Sequence, residues 1–156
     1  MKRQAYLRAG RMVGPLYILC LKLYSKLTGR PRVRILVVNE YHEILLLKNV
    51  ISHHKWSLPG GGMNRHETAV KAARRELHEE TGMTMPESSF HYIRTLEKIE
   101  DEVAFQVPLF LLTVQKSALP PGLVNPREIA EIEWFDKSHL PADLSSIAIM
   151  AIKELD

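Results

Sequence analysis

This chain has almost no cysteine, no long apolar run and, over its first quarter, no acidic residue. Cys20 is the single cysteine. An intrachain disulfide framework and a cysteine zinc site are therefore excluded, and a reducing, cytoplasmic setting is expected. The seven histidines include no H-E-x-x-H spacing, and the adjacent His53 and His54 read as a solvated loop pair. The apolar segment 13–27 is interrupted by Lys22 and Lys26. Its longest unbroken stretch, 15–21, falls far short of the ~20 residues that span a bilayer. Charge ahead of a short apolar run imitates a targeting signal, but no A-x-A-like cleavage site follows. Leu19 is also too large to precede a lipoprotein cysteine, so export and organelle import are the less favoured readings.

Acid is missing from residues 1–39, which carry nine Lys and Arg residues, Arg32 and Arg34 among them. The whole chain is only +3, so everything after this stretch is net acidic. The division expected is a basic amphipathic arm over 1–30 and one domain over 31–156, long enough for a real core. The arm reads as a helix over 4–27, bent or restarted at Gly14-Pro15, with Leu16, Leu19, Leu23 and Leu27 in one stripe. Such a stripe packs on the domain, pairs in a homodimer, or lies at a membrane interface as a peripheral anchor. The charge of the arm suits polyanions: a membrane surface, RNA or a phosphorylated substrate.

Within the domain, 32–39 and 43–48 read as strands joined by a turn, and 56–58 as a short extended piece stopped by Pro59 and three glycines. Residues 67–81 read as a helix with an acidic first turn at Glu67, a packing stripe of Val70, Ala73 and Leu77, and Gly82 as left-handed cap. Strands follow over 90–96 and 103–114, separated by an acidic loop over 97–102. Pro108 demotes part of the second to an edge or bulge. A strand over 129–135 and a helix over 145–155, capped by Asp143 or Ser145, complete the chain. Mixed strands with two or three helices imply an α+β fold, a mixed α/β/α sandwich.

The helix over 67–81 carries the chemistry. At 100° per residue, Glu79 lies about 60° to one side of Glu76 and Glu80 about 40° to the other, so three carboxylates share one face. Like charges at that spacing repel, and a chain that keeps them together has a cation to hold. Oxygen donors suit a hard ion such as Mg²⁺, with Mn²⁺ as the alternative. Gly60, Gly61 and Gly62 stand just before the helix, where backbone can approach closely and offer N–H groups to phosphate or to a tight turn.

The array Gly61-x5-Glu67-x7-Arg75-Glu76-Leu77-x-Glu79-Glu80-x-Gly82-Met83 resembles the Nudix hydrolase signature at every specified position. A chance match is on the order of 10⁻⁷ for a chain of this length, at ~6% usage per residue type. The likeness extends more loosely to Trp56-Ser57-Leu58-Pro59 and Glu133-Trp134-Phe135, and leaves the first thirty or so residues outside. It implies a Nudix-like fold and Mg²⁺-dependent hydrolysis of a P–O–P bond in a nucleoside diphosphate linked to another moiety. It also implies that Glu76, Glu79 and Glu80 are the metal ligands.

Arg75 is then expected to orient the carboxylates by a bidentate contact. Glu67 is read as its partner, as an outer-shell metal group, or simply as a complement to the helix dipole. Gly60, Gly61, Gly62, Trp56 and His66 are the substrate-binding candidates. Trp56 has packing as its alternative role. His66 stands where the family commonly has glycine, which puts the usual loop conformation in question. A general base from outside the array is sought among Glu97, Glu100, Asp101, Glu102, Glu128, Glu131 and Glu133, with Glu128 favoured and Glu131 second. The extra motifs that mark ADP-ribose, dinucleoside polyphosphate, NADH and coenzyme A hydrolases are missing, so the substrate stays open. Two alternatives accompany this reading: RNA 5′-end hydrolysis using the basic arm, and a non-catalytic module that binds nucleotide or tethers to membrane.

Overall fold

The computed structural model describes residues 31–50, 55–100 and 103–155, without the side chains of 98–100 and 103–105. The arm 1–30, with Cys20, lies outside the described residues, as do His53, His54, Asp101 and Glu102 and the side chain of Glu100.

The first strand, β1 (Arg34–Asn39), turns back into β2 (Ile44–Asn49). The turn is shaped by His42 at φ 62° and by Asn39, whose Oδ1 accepts the N–H groups of Tyr41 and Glu43 at 2.9 and 3.0 Å. β3 (Trp56–Ser57) precedes the helix α1 (Ala69–Thr81). Then come β4 (His91–Glu100), β5 (Val103–Val114), β6 (Ile129–Phe135) and the terminal helix α2 (Ser146–Ile152). Among the described residues the strands form one mixed sheet in the order β3-β2-β1-β5-β4, with β6 also paired to β2. β1 and β5 are parallel and the other pairs antiparallel.

Successive side chains of a strand face opposite sides, and β1 shows the result. Ile35 and Val37 join Ala72, Ala73 and Leu77 of α1 in one core, while Leu36 and Val38 join Ile147, Ala148 and Ala151 of α2 in the other. A strand buried on both faces must be apolar throughout, as the run from Ile35 to Val38 is. The α/β/α sandwich expected from the sequence is the fold observed.

Besides α1, which begins at Ala69 and not at Glu67, two elements differ from their sequence reading. Residues 97–100, expected as the start of an acidic loop, are strand: β4 runs on to Glu100 and pairs with β5 down to Val103, while the rest of that expected loop lies outside the described residues. The terminal helix is shorter at both ends, with Ser145 as its N-cap and a 3₁₀ turn over Lys153–Leu155. Asp143 caps nothing there and instead pairs with Lys48 at 3.3 Å. Pro108 sits one residue outside the β1–β5 ladder, which begins at Leu109, so its missing N–H deprives β1 of nothing.

One irregularity positions the site. β1 and β2 pair at Val38 and Ile44, and further along β2 its neighbour on that edge is β3. The edge of β1 thus vacated is filled by the segment after β3: Ile35 donates its N–H to Pro59 O at 3.0 Å, and Val33 to Gly61 O at 2.9 Å. The glycine segment is therefore held as an extra rung of the sheet, directly beside α1.

Candidate active site

The caps of α1 set which residues face the glycine segment. Thr68 is the N-cap, its Oγ1 accepting from the Lys71 N–H at 3.4 Å. Gly82, left-handed at φ 76°, closes the helix by donating to His78 O at 2.8 Å. With this phase Ala72, Ala73 and Leu77 are fully buried and Glu80 nearly so, at 4% exposure. Glu67 was expected in the first turn of the helix, but it precedes the cap and supplies no charge to that turn.

Two of the three glycines are required by space. Gly60 has φ +128°, and a Cβ there would lie 2.3 Å from Val33 O. Its N–H donates to Glu80 Oε2 at 2.8 Å, and its carbonyl accepts from Arg34 Nη1. A Cβ on Gly61 would lie 2.6 Å from both Cδ and Oε2 of Glu76, so the Glu76 carboxylate occupies the space a side chain would need. Gly62 has open space around it and contributes its carbonyl, which accepts from Arg75 Nη2 at 2.9 Å.

Arg75 ties these parts together. Its Nε and Nη2 donate to the two oxygens of Glu67, both at 3.0 Å, a bidentate fork. Nη1 donates to Glu76 Oε1 at 2.8 Å and to Glu79 Oε2 at 3.2 Å. Glu67 Oε2 also accepts the Asn64 N–H at 2.8 Å, which pins the loop ahead of the helix. The hydrogen bonds from Arg75 hold the Glu67 carboxyl below the usual carboxylate range, and those to Glu67 hold the guanidinium above its own ordinary value.

The two inner carboxylates behave in the opposite way. Burial pushes Glu76 up, against the pull of Arg75. Burial pushes Glu80 up to about 8; the Gly60 N–H and the charge of Arg34 oppose this, and the charges of Glu76 and Glu128 add to it. Arg34 is the residue that sequence reasoning missed. It counts toward the acid-free stretch 1–39 and falls in the strand expected over 32–39, but no role is read for it there; in β1 it acts on both Glu76 and Glu80. Only its place in a strand adjoining the glycine segment could have signalled this, and that adjacency is tertiary.

Of the proposed bases, Glu128 lies just before β6. Its carbonyl accepts from Val50 N–H at 2.7 Å, its carboxylate from Asn125 Nδ2 at 3.0 Å, and its charge reaches Glu80. Glu131 and Glu133 sit opposite Lys48 and Leu46 in the β2–β6 ladder. Leu46 belongs to the α2-side core, and Lys48 lies over Trp56. By strand alternation both glutamates therefore face away from α1, which removes Glu131 as second choice. Glu97 lies on β4, the far edge strand. Trp56 is likewise corrected. It is 5% exposed in the α2-side core, edge-on to Phe135 at 4.7 Å and capped by Lys48 Nζ at 4.7 Å, with no face left for a base. His66 is exposed and adopts φ 64°, so the left-handed turn is kept without glycine.

Among the described residues no three metal-binding groups converge closely enough to hold a cation as the side chains stand. The physical reason is Arg75, whose guanidinium takes up oxygens of Glu76 and Glu79. The donor chemistry still fits a hard divalent ion. Glu80 is a buried carboxylate short of positive charge, Glu76 is confined beside it, and Glu79 is half-exposed on the same helix.

A model of the NUDIX domain matches residues 28–152. This chain belongs to the NUDIX family, and the domain it carries marks it as a hydrolase. Solved structures share the fold. A MutT NUDIX hydrolase from Burkholderia pseudomallei is 23% identical over 81% of this chain and 98% of its own, with a TM-score of 0.72. A UDP-X diphosphatase is 21% identical over 81% and 60%, with a TM-score of 0.64. A C. elegans Ap4A hydrolase, solved as a binary complex, is 18% identical over 81% and 94%, with a TM-score of 0.63. Members of the family generally use divalent metal ions.

Proposed function

We propose that this chain hydrolyses a P–O–P bond in a nucleoside diphosphate linked to another moiety, such as a nucleoside triphosphate or a nucleotide sugar. The observation that carries the reading is the pair of inner carboxylates, Glu76 seated in the space left by Gly61 and Glu80 held by the Gly60 N–H. Glu76, Glu79 and Glu80 would hold Mg²⁺, or Mn²⁺ in its place. When bound, the ion supplies charge neutralisation at phosphorus and a more acidic water.

The other steps belong to residues of this chain. Gly60 fixes Glu80, and Arg75 is the positioning residue whose Nη1 bridges Glu76 and Glu79 and ties both to Glu67. Glu128 takes the proton of the attacking water, because it leads into β6 within electrostatic reach of Glu80. The Gly60–Gly62 backbone and His66 border the path of the phosphates.

The test is a nucleotide panel with Mg²⁺ or Mn²⁺, reading out phosphate, pyrophosphate and mononucleotide. Glu80→Gln should lower kcat by two orders of magnitude or more with the fold intact. Unchanged turnover in that variant at saturating Mg²⁺ would sink the assignment. For Glu128→Gln a fall of 10²- to 10⁴-fold, the ordinary range for loss of a general base, is expected.

A further inference from the structure

The solvent side of α1 bears a second charged face that the hydrolytic chemistry leaves unused. Counting 100° per residue from Arg75, Lys71, His78 and Arg74 lie about 40°, 60° and 100° to one side. Glu79, Glu76 and Glu80 lie about 40°, 100° and 140° to the other, so Arg75 stands on the divide. The cationic flank opens onto a groove of about 440 Å³ lined by Lys71, Arg74, Arg75, His78, Thr84 and Glu87. Among the described residues Glu87 is the only acid lining it. Its contact with Arg74 is loose, at 3.9 Å between half-exposed side chains, a geometry worth little in water. Lys71 makes no ion pair among the described residues. Thr84 Oγ1 lies 3.2 Å from His78 Nδ1, which ties the floor of the groove to the helix.

We infer that this groove binds phosphate groups of the substrate beyond those at the carboxylates. The ligand class is an extended phosphate chain, supplied either by a nucleoside polyphosphate or by the 5′ end of an RNA. This rests on the hydrolytic reading of the adjoining face. Lys71 stands three residues from Arg74 and four from Arg75, spacings at which like charges on a helix repel, and an anion laid along them offsets that repulsion. The stretch from Lys71 to His78 covers about 10 Å of helix, room for more than one phosphate. Arg75 belongs to both faces, so a chain leaving the carboxylates meets the groove within one side chain. The rest of the domain is net acidic, which makes the groove a local exception to its surroundings.

The experiment compares the full chain with the Lys71→Ala/Arg74→Ala double variant. Without divalent ion, binding of inorganic tripolyphosphate and of a labelled 5′-triphosphorylated RNA ten-mer is measured across a salt series. With Mg²⁺, kcat/KM is compared between a nucleotide sugar and a nucleoside triphosphate. The inference expects at least fivefold weaker tripolyphosphate or RNA binding. It also expects a ratio of triphosphate to nucleotide-sugar kcat/KM at least fivefold lower, with restoration by Lys71→Arg/Arg74→Lys. Loss on RNA alone, with a salt slope lower by about 1.4, identifies the RNA backbone as the source. Loss on tripolyphosphate as well identifies the phosphate chain itself. No loss on either, or an equal loss on two-phosphate and longer substrates, overturns the inference. If wild-type protein turns over no nucleotide, the hydrolytic reading has failed, and the metal-free binding comparison still judges the groove.

Discussion

Glu80 is a carboxylate placed where its charge is disfavoured, and its titration should be visible in stability. The folded chain binds this proton more tightly than the unfolded one, with the pKa raised from 4.5 to about 8 chiefly by burial. Metal-free protein should therefore lose stability as pH rises through that window. We expect Tm to fall by on the order of 5 °C between pH 5 and pH 8, and the slope to flatten in Glu80→Gln, as read by calorimetry. Glu67 acts in the opposite sense. Its lowered pKa contributes stability that is present above 4.5 and lost as pH falls through the lower folded value. The glycines give a second comparison. Gly61→Ala should abolish turnover by displacing the Glu76 carboxylate, whereas Gly62→Ala should keep at least half of it, since nothing lies within 4 Å of the added methyl. Equal losses in the two variants would refute the spatial argument. At this scale, spacing alone is enough to place Glu76, Glu79 and Glu80 together on one helix, which the structure has over Ala69–Thr81. The sequence was silent on Arg34, which reaches Gly60 across 26 positions.

Elements were legible in proportion to how strongly they are buried. β1, β2 and β6 announce themselves by apolar or alternating runs. The end of β4 does not, because Glu97, Lys98 and Glu100 offer no apolar period to read. The start of α1 was misplaced for a different reason. An acid near a helix N-terminus ordinarily complements the dipole, but Glu67 is committed to Arg75 eight residues on. The turn leading into α1 makes a prediction of its own. His66 at φ 64° pays a steric cost of about 1 kcal/mol that glycine would not. His66→Gly should therefore leave stability within about 1 kcal/mol of wild type, while His66→Val, β-branched in a left-handed conformation, should cost more than either. Urea melts of the three proteins, ranked by midpoint, check the order.

For the whole molecule, the family match spans residues 28–152 and leaves most of the basic arm outside it. A chain starting at residue 28 should keep a Tm within a few degrees and the same kcat/KM on small nucleotides. It should also lose salt-dependent affinity for RNA if the arm is what supplies it. Among the described residues no helix is long and apolar enough to cross a membrane. The seating of the glycine segment as a rung on β1 has one more consequence. The amides of Val33 and Ile35, bonded to Gly61 O and Pro59 O, can exchange with deuterated solvent only when that rung lifts. These two core protons form a clock wired to the glycine segment, and its slowing on addition of ion and nucleotide would time the segment's opening without any label beside the carboxylates.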